Sequence, residues 1–171
     1  MPFNDMNIEI ERKFLIRMPS SNNLNAQKDV CVKNLEQTYL TSDGSYNARV
    51  RSIDEGGRVR YVKTVKRRIS VLSCYEDEFE ISEAQYQEEL KNADKSKTAI
   101  KKTRYCIPFG EHIVEIDVFP FWSDRAILEV ELKNEDEEFS LPSFVEIIKE
   151  VSDDKRYKNT NLALEIPMDD I

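Results

Sequence analysis

The stretch Ile8-Glu9-Ile10-Glu11-Arg12-Lys13-Phe14-Leu15-Ile16 decides the reading of this chain. Side chains two apart on a strand point the same way, so Glu9, Glu11 and Lys13 share one face while Ile8, Ile10, Phe14 and Ile16 occupy the other. The same arithmetic recurs downstream. Arg49 and Arg51 flank Val50; Thr64, Lys66 and Arg68 share a face; Glu76, Glu78 and Glu80 alternate with Phe79 and Ile81. Lys102 and Arg104 pair up, Glu115 and Asp117 alternate with Val114, Ile116 and Val118, and Glu129, Glu131 and Lys133 alternate with Leu128, Val130 and Leu132. A single Glu-x-Glu is the wet side of an ordinary sheet. Six or seven strands in succession, each with a charged face and an apolar one, ask for a common explanation.

Strands are predicted at 7–17, 46–54, 58–70, 74–81, 101–109, 112–119 and 125–133. Asp43-Gly44-Ser45, Asp54-Glu55-Gly56-Gly57 and Phe109-Gly110-Glu111 supply turn chemistry between neighbours, and Pro120-Phe121-Trp122-Ser123-Asp124 supplies a longer connection. Ser82-x-x-Gln85 opens a capped amphipathic helix that runs to about Asp94. A second helix is expected from Leu141-Pro142 through Ile148, with proline in its first turn; the tail beyond Asp153 reads as irregular. No repeat or linker divides the 171 residues, so residues 1–171 are expected to form one domain. Seven or eight hairpin-linked strands with two helices suit an α+β, mainly β chain closed into an antiparallel barrel. If the helices dock their apolar stripes on the outside, the charged face lines the interior.

Unpaired charges are costly to enclose, so such an interior must hold water or ions. A polyanion together with a divalent cation satisfies both sets of charges: Arg and Lys hold phosphate oxygens, and carboxylates hold Mg²⁺ or Mn²⁺. The rest of the composition narrows the field. The net charge of -8 argues against bulk nucleic acid or an anionic membrane as partner. No apolar run is long enough to span a bilayer and Met1–Met6 lacks a secretory pattern, so a cytoplasmic location is expected. Cys31, Cys74 and Cys106 are odd in number and widely spaced, and read as reduced packing residues. His112 is the sole histidine, which leaves little room for a histidine metal site, and four glycines leave no P-loop. Arg67 points away from Lys66 and Arg68 and reads as a surface residue, and Trp122 reads as loop packing.

Glu9-Ile-Glu-Arg-Lys-Phe14 resembles the Glu-x-Glu-x-Lys signature of the CYTH proteins, or triphosphate tunnel metalloenzymes. Arg49-x-Arg51, Thr64-x-Lys66, Glu78-x-Glu80, Lys102-Thr-Arg104-Tyr105, Glu115-x-Asp117, Glu129-x-Glu131 and Asp154-Lys-Arg-Tyr-x-Asn159 follow in the family's order. The resemblance covers residues 7 to 163 and implies a closed eight-stranded antiparallel β-barrel, a tunnel with exterior helices. It is strongest to the bacterial-type inorganic triphosphatases, through Glu131–Glu137 and Arg156-Tyr157. The stretch Glu146–Ser152 departs from the family's Gly-x-Glu-Val-Thr.

What the resemblance implies is metal-dependent hydrolysis of the terminal phosphate of tripolyphosphate or a related triphosphate by water attack. Glu9, Glu11, Glu129 and Glu131 would be metal ligands, with Asp117 and Glu115 completing a second site. Lys13, Arg49, Arg51, Lys66, Lys102 and Arg104 would clamp phosphates, Arg156 would cap them from the tail, and Glu78 and Glu80 would orient the bases or a water. The cofactor would be Mg²⁺ or Mn²⁺, the partner a small triphosphate, inorganic, nucleoside or thiamine-linked, and the protein a monomer or homodimer. Alternatives are a class IV-type adenylate cyclase, a thiamine triphosphatase and a non-catalytic polyphosphate-binding module.

Overall fold

The computed structural model describes residues 8–171; the expectations placed on Met1–Met6 and on Asn7 lie outside the described residues. In chain order the elements are β1 (Ile8–Arg17), α1 (Ser21–Asn25), β2 (Cys31–Tyr39), β3 (Asn47–Glu55), β4 (Arg58–Arg68), β5 (Ser73–Ile81), α2 (Glu83–Leu90), β6 (Ile100–Phe109), β7 (His112–Val118), β8 (Arg125–Glu131), β9 (Ile147–Glu150), a 3-10 turn (Lys155–Tyr157) and α3 (Asn159–Leu162). Strands are ordered β5-β4-β3-β2-β6-β7-β8-β1, and a β5–β1 pairing closes the ring. The result is an eight-stranded antiparallel barrel. No described helix is long and apolar enough to cross a membrane.

Seven of the eight barrel strands follow the predicted alternation. The eighth, β2, was not expected as a strand: Cys31-Val-Lys-Asn-Leu-Glu-Gln-Thr-Tyr39 mixes polar and apolar residues on both faces. It exists because β3 and β6 each offer it an edge, with Leu35 opposite both Ile53 and Lys102. The β3–β4 hairpin turns at Gly56 and Gly57, whose φ values of 63° and 91° suit a residue without Cβ, and Asp54 Oδ1 accepts the Gly57 N–H at 2.8 Å. Ser82 caps α2 in a full capping box with Gln85, as its sequence predicts.

The expected helix at Leu141–Ile148 is not there. Ile147–Glu150 instead forms β9, antiparallel to Phe14–Ile16 of β1. Two forces favour the strand. The β-branched residues Val145, Ile147, Ile148 and Val151 suit extended backbone, and β1 has an edge to fill, because β5 pairs only with Ile8–Ile10. Arg12 holds Glu150 through two 2.8 Å hydrogen bonds, and Arg17 Nε donates to Glu146 at 2.7 Å. Between the two pairings the wall is stitched by Glu11 N–H to Leu72 O at 3.1 Å and Lys13 N–H to Ser152 Oγ at 2.9 Å. The departure at Glu146–Ser152 therefore still closes this side of the barrel.

The outer apolar face is covered, though not by two helices. Phe14, Ile16, Val114, Ile116, Leu128 and Val130 pack under Leu24 of α1 and under Phe139, Leu141, Phe144 and Val145 of the segment that follows β8. Val50 and Ala48 pack under Tyr86 and Leu90 of α2. At one end the interior positions turn apolar: Leu15, Tyr39, Ile100, Phe119 and Ile127 meet Trp122, Tyr157 and Leu162. Trp122 Nε1 donates to Pro167 O at 3.0 Å, which gives it the packing role expected of it and ties down the tail.

Leu128 is fully buried on the outer face, whereas Ile113 is 55% exposed. Leu128→Ala should cost about 3 kcal/mol, and Ile113→Ala within about 0.5 kcal/mol. Urea unfolding measures both, and equal losses would contradict this outer apolar layer.

Candidate active site

Cross-strand partners share a face, and the register carries the charged face around the barrel except at β2, where Leu35, Gln37 and Tyr39 take the inward positions. Glu11 lies opposite Glu131 and Lys13 opposite Glu129; Glu129 lies opposite Glu115, and Asp117 opposite Arg104. On the far wall Arg49 lies opposite Thr64, Thr64 opposite Glu78, and Lys66 opposite Glu76. These walls enclose a cavity of about 490 Å³. Among the described residues it is lined by eight cationic and seven acidic side chains. A larger cavity of about 880 Å³ lies beside α2, between Leu40, Ala48, Val65 and Phe79 on the outer face. Its lining carries fewer charges than the barrel interior, Lys63, Asp77, Glu89, Lys91 and Lys95, and Lys63 is paired with Glu89 at 2.6 Å.

Of the residues singled out in the sequence, Glu9, Glu11, Lys13, Arg49, Arg51, Lys66, Glu78, Arg104, Glu115, Glu129 and Glu131 all line the charged cavity. Lys102 and Asp117 lie behind the lining. Asp117 accepts from Lys102 Nζ at 2.8 Å and from Arg104 Nε and Nη2 at 2.7 and 2.9 Å, so it aims Arg104 into the cavity. Glu80 and Arg156 are not brought in. Glu80 is exposed at the far end of β5. Arg156 points outward to Asp154 at 2.7 Å and Asp169 at 3.0 Å. Asp154 caps the 3-10 turn, which rotates Arg156 out and leaves Lys155 and Lys158 on the lining. Sequence reading missed those two lysines, because a tail without strand periodicity does not show which neighbour faces inward. Arg68 and Glu76, also on the lining, were visible on the alternating faces. Arg67 lies with its guanidinium over the Tyr75 ring, away from the cavity.

Most of the charges are paired. Lys66 Nζ bridges Glu9 at 2.6 Å and Glu76 at 2.9 Å; Arg51 holds Glu78 at 2.6 Å, and Lys13 holds Glu129 at 3.3 Å. Arg104 also meets Glu115. Burial works to raise the pKa of Glu9, yet the charge and hydrogen bond of Lys66 bring it down to about 2. Burial likewise opposes ionisation of Glu129, and Lys13 and Arg104 hold it well below the usual range.

Two gaps remain in this pairing. Glu11 and Glu131 face each other with no hydrogen bond or ion pair among the described residues. Burial, then the charge of Glu129, pushes Glu11 up to about 7, and burial with the charges of Glu9 and Glu115 raises Glu131. On the other wall the Nε atoms of Arg49 and Arg51 are buried without acceptors. Burial, then the neighbouring charge of Arg49, lowers Arg51 to about 10. One wall holds a carboxylate pair without a cation partner, and the other holds arginine N–H groups without acceptors.

The CYTH domain profile matches residues 7–163. This chain belongs to the CYTH family. It is 37% identical to an inorganic triphosphatase of Nitrosomonas europaea over 93% of this chain and 99% of that protein. A crystal structure of the inorganic triphosphatase NE1496 superposes with a TM-score of 0.57 at 32% identity, over 93% of this chain and 96% of that one. The PH1819 protein of Pyrococcus horikoshii shares the fold with a TM-score of 0.57 at 16% identity, over 75% of this chain and 80% of its own.

The raised pKa of Glu11 has a stability consequence whose sign is fixed. A carboxyl whose folded pKa of about 7 exceeds its ordinary value of 4.5 favours the fold below pH 4.5 and loses that contribution as pH rises through 7. In metal-free buffer Glu11→Gln should therefore stabilise the protein at pH 8 by up to roughly 3 kcal/mol and change little at pH 4.5. Thermal melts at both pH values check this; a loss of stability at pH 8 would contradict it.

Proposed function

We propose that this chain is an inorganic triphosphatase that hydrolyses the terminal phosphate of tripolyphosphate or a closely related triphosphate, with Mg²⁺ or Mn²⁺ as cofactor. Residues 1–171 act as one catalytic domain in the cytoplasm. The observation that carries this reading is the complementary deficit across the cavity, with unpartnered arginine donors facing an unneutralised acidic pair. A metal-bound polyphosphate supplies what both walls lack. The similarity to an inorganic triphosphatase along nearly the whole chain supports the same substrate class.

The acidic wall suits a hard divalent ion. Glu11 and Glu131 carry oxygen donors with no competing partner, and Glu9, Glu115 and Glu129 stand beside them on the cavity lining. No three acidic, thiol or imidazole groups among the described residues form a ready-made cage. The ion would therefore complete its shell with phosphate oxygens and water, as Mg²⁺ ordinarily does. When bound, it neutralises phosphate charge and lowers the pKa of a coordinated water.

The remaining work falls to the chain. Arg49 and Arg51 direct their free Nε–H groups at phosphate oxygens, and Glu78 fixes Arg51 while taking the Thr64 hydroxyl at 3.0 Å. Lys13, Lys66 and Arg104 complete the clamp on rigid strands, so the triphosphate is held for attack with little reorganisation. Asp117 positions Arg104 and Lys102 from behind. Burial lowers Lys102 to about 8 against the pull of Asp117, so its charge is lost at mildly alkaline pH and the clamp weakens there. Water is the nucleophile, and phosphoryl transfer needs no covalent intermediate on the protein.

Glu9→Gln and Glu131→Gln should each lower tripolyphosphate turnover by about 100-fold or more, on the scale of losing an essential charge-stabilising group, with unchanged circular dichroism. Arg51→Ala should chiefly raise KM. Steady-state phosphate release with Mg²⁺ and Mn²⁺ measures all three, and near-normal turnover in both Gln variants would refute the metal assignment.

A further inference from the structure

Cys31 and Cys106 lie 75 residues apart in the sequence but directly opposite each other across β2 and β6. Both are free and partly exposed. Cross-strand partners in an antiparallel pair have Cα atoms about 4.5–5.5 Å apart and side chains on one face. That lies within the Cα separation of about 4.4–6.8 Å that a disulfide spans. Cys74, the third thiol, is buried and donates to Glu9 at 3.4 Å, out of reach of external reagents.

The surroundings give the two sulfurs different parts. Cys31 Sγ donates to Glu55 Oε1 at 2.9 Å, which fixes the direction of the sulfur. Cys106 lies on the strand partner of Cys31 and also opposite Glu115 of β7. Glu115 holds Arg104, a phosphate-clamp residue in the proposed function. Both thiols border a cavity of about 500 Å³ that shares Glu115 and Glu131 with the charged cavity.

We infer that Cys31 and Cys106 form a reversible thiol-modification site, which closes into a cross-strand disulfide by exchange with a low-molecular-weight disulfide and thereby slows turnover at the neighbouring site. Cys31 loses its proton to solvent and attacks one sulfur of the reagent, giving a mixed disulfide and one small-molecule thiolate, which takes up a proton. Cys106 then loses its proton to solvent and attacks the Cys31 sulfur of that mixed disulfide, forming the intramolecular bond and expelling the second thiolate, which is protonated in turn. Two protein thiols and one disulfide reagent become one protein disulfide and two small thiols, with no other redox partner. The Glu55 hydrogen bond first, then burial, holds the Cys31 thiol protonated. Exchange is therefore slow at neutral pH and accelerates as pH rises. Slowing follows from placement: drawing Cys106 toward Cys31 shifts the Glu115 and Arg104 pair beside it.

The test treats the purified full chain with excess oxidised glutathione at pH 8. Free thiols counted after denaturation should fall from three to one, a non-reduced digest should contain a peptide linking Cys31 to Cys106, and Cys106→Ser should stop at a glutathione adduct on Cys31. Tripolyphosphate hydrolysis, on which the turnover part rests, should fall several-fold and return with dithiothreitol, but not change in Cys31→Ser. A lasting glutathione adduct in wild type, linkage between chains, or three unreacted thiols would overturn the site. Full activity in the linked protein would overturn its effect on turnover. If the reduced protein releases no phosphate, the proposed activity fails, and the linked peptide still decides the thiol chemistry.

Discussion

Enclosing charge inside a small barrel is the constraint on which the rest of this structure depends. An unpaired ion taken from water costs several kcal/mol even after relaxation, and among the described residues this cavity is lined by eight cationic and seven acidic side chains. The barrel tolerates them because the register sets cations beside acids: Lys66 between Glu9 and Glu76, Arg104 between Asp117 and Glu115, Arg51 against Glu78. Such pairing also organises the strands, since each ion pair connects neighbouring strands or crosses the cavity. What remains unpaired marks where function enters. The Glu11 and Glu131 pair and the free Nε atoms of Arg49 and Arg51 are costs that, in the proposed function, a bound ion and anion relieve.

The apolar side of the same strands explains the architecture. Because charge occupies the inside, the hydrophobic core lies on the outer face, and the chain must cover it with whatever segments it has. α1, α2 and the irregular stretch through Phe139 and Phe144 do this, while an interior cluster around Leu15, Phe119 and Tyr157 seals one end of the lumen. Edge supply matters as much as burial. β1 is shared between β5 and β9, and that division of one strand's edge lets the ring close while leaving room for the tail segment Lys155–Thr160 against the cavity.

Much of this was legible in the residues, for a physical reason. Alternation with period two assigns each strand a charged and an apolar face, and eleven of the predicted cavity residues needed only that arithmetic. It fails where the cause is not local. β2 lacks alternation and is a strand because two neighbours require a partner between them. Leu141–Ile148 has helix-compatible spacing, but a vacant edge and β-branched residues make its end a strand. Arg156 looked like the tail's contribution by resemblance, yet the Asp154 cap turns it outward and presents Lys155 and Lys158. Lys102 and Asp117 sit on the charged face and still stop short of the cavity, because their mutual pairing is stronger in the dry layer behind Arg104.

The central claim is that the two unsatisfied walls are completed together by a divalent ion and a triphosphate that is then cleaved by water. Its most direct measurement is product analysis of purified protein given tripolyphosphate, ATP or thiamine triphosphate, with Mg²⁺, Mn²⁺ or a chelator. The account predicts orthophosphate and pyrophosphate from tripolyphosphate, fastest among the three substrates and only when metal is present. No release from tripolyphosphate with either metal, undiminished release in chelator, or cyclic AMP with pyrophosphate from ATP would contradict it.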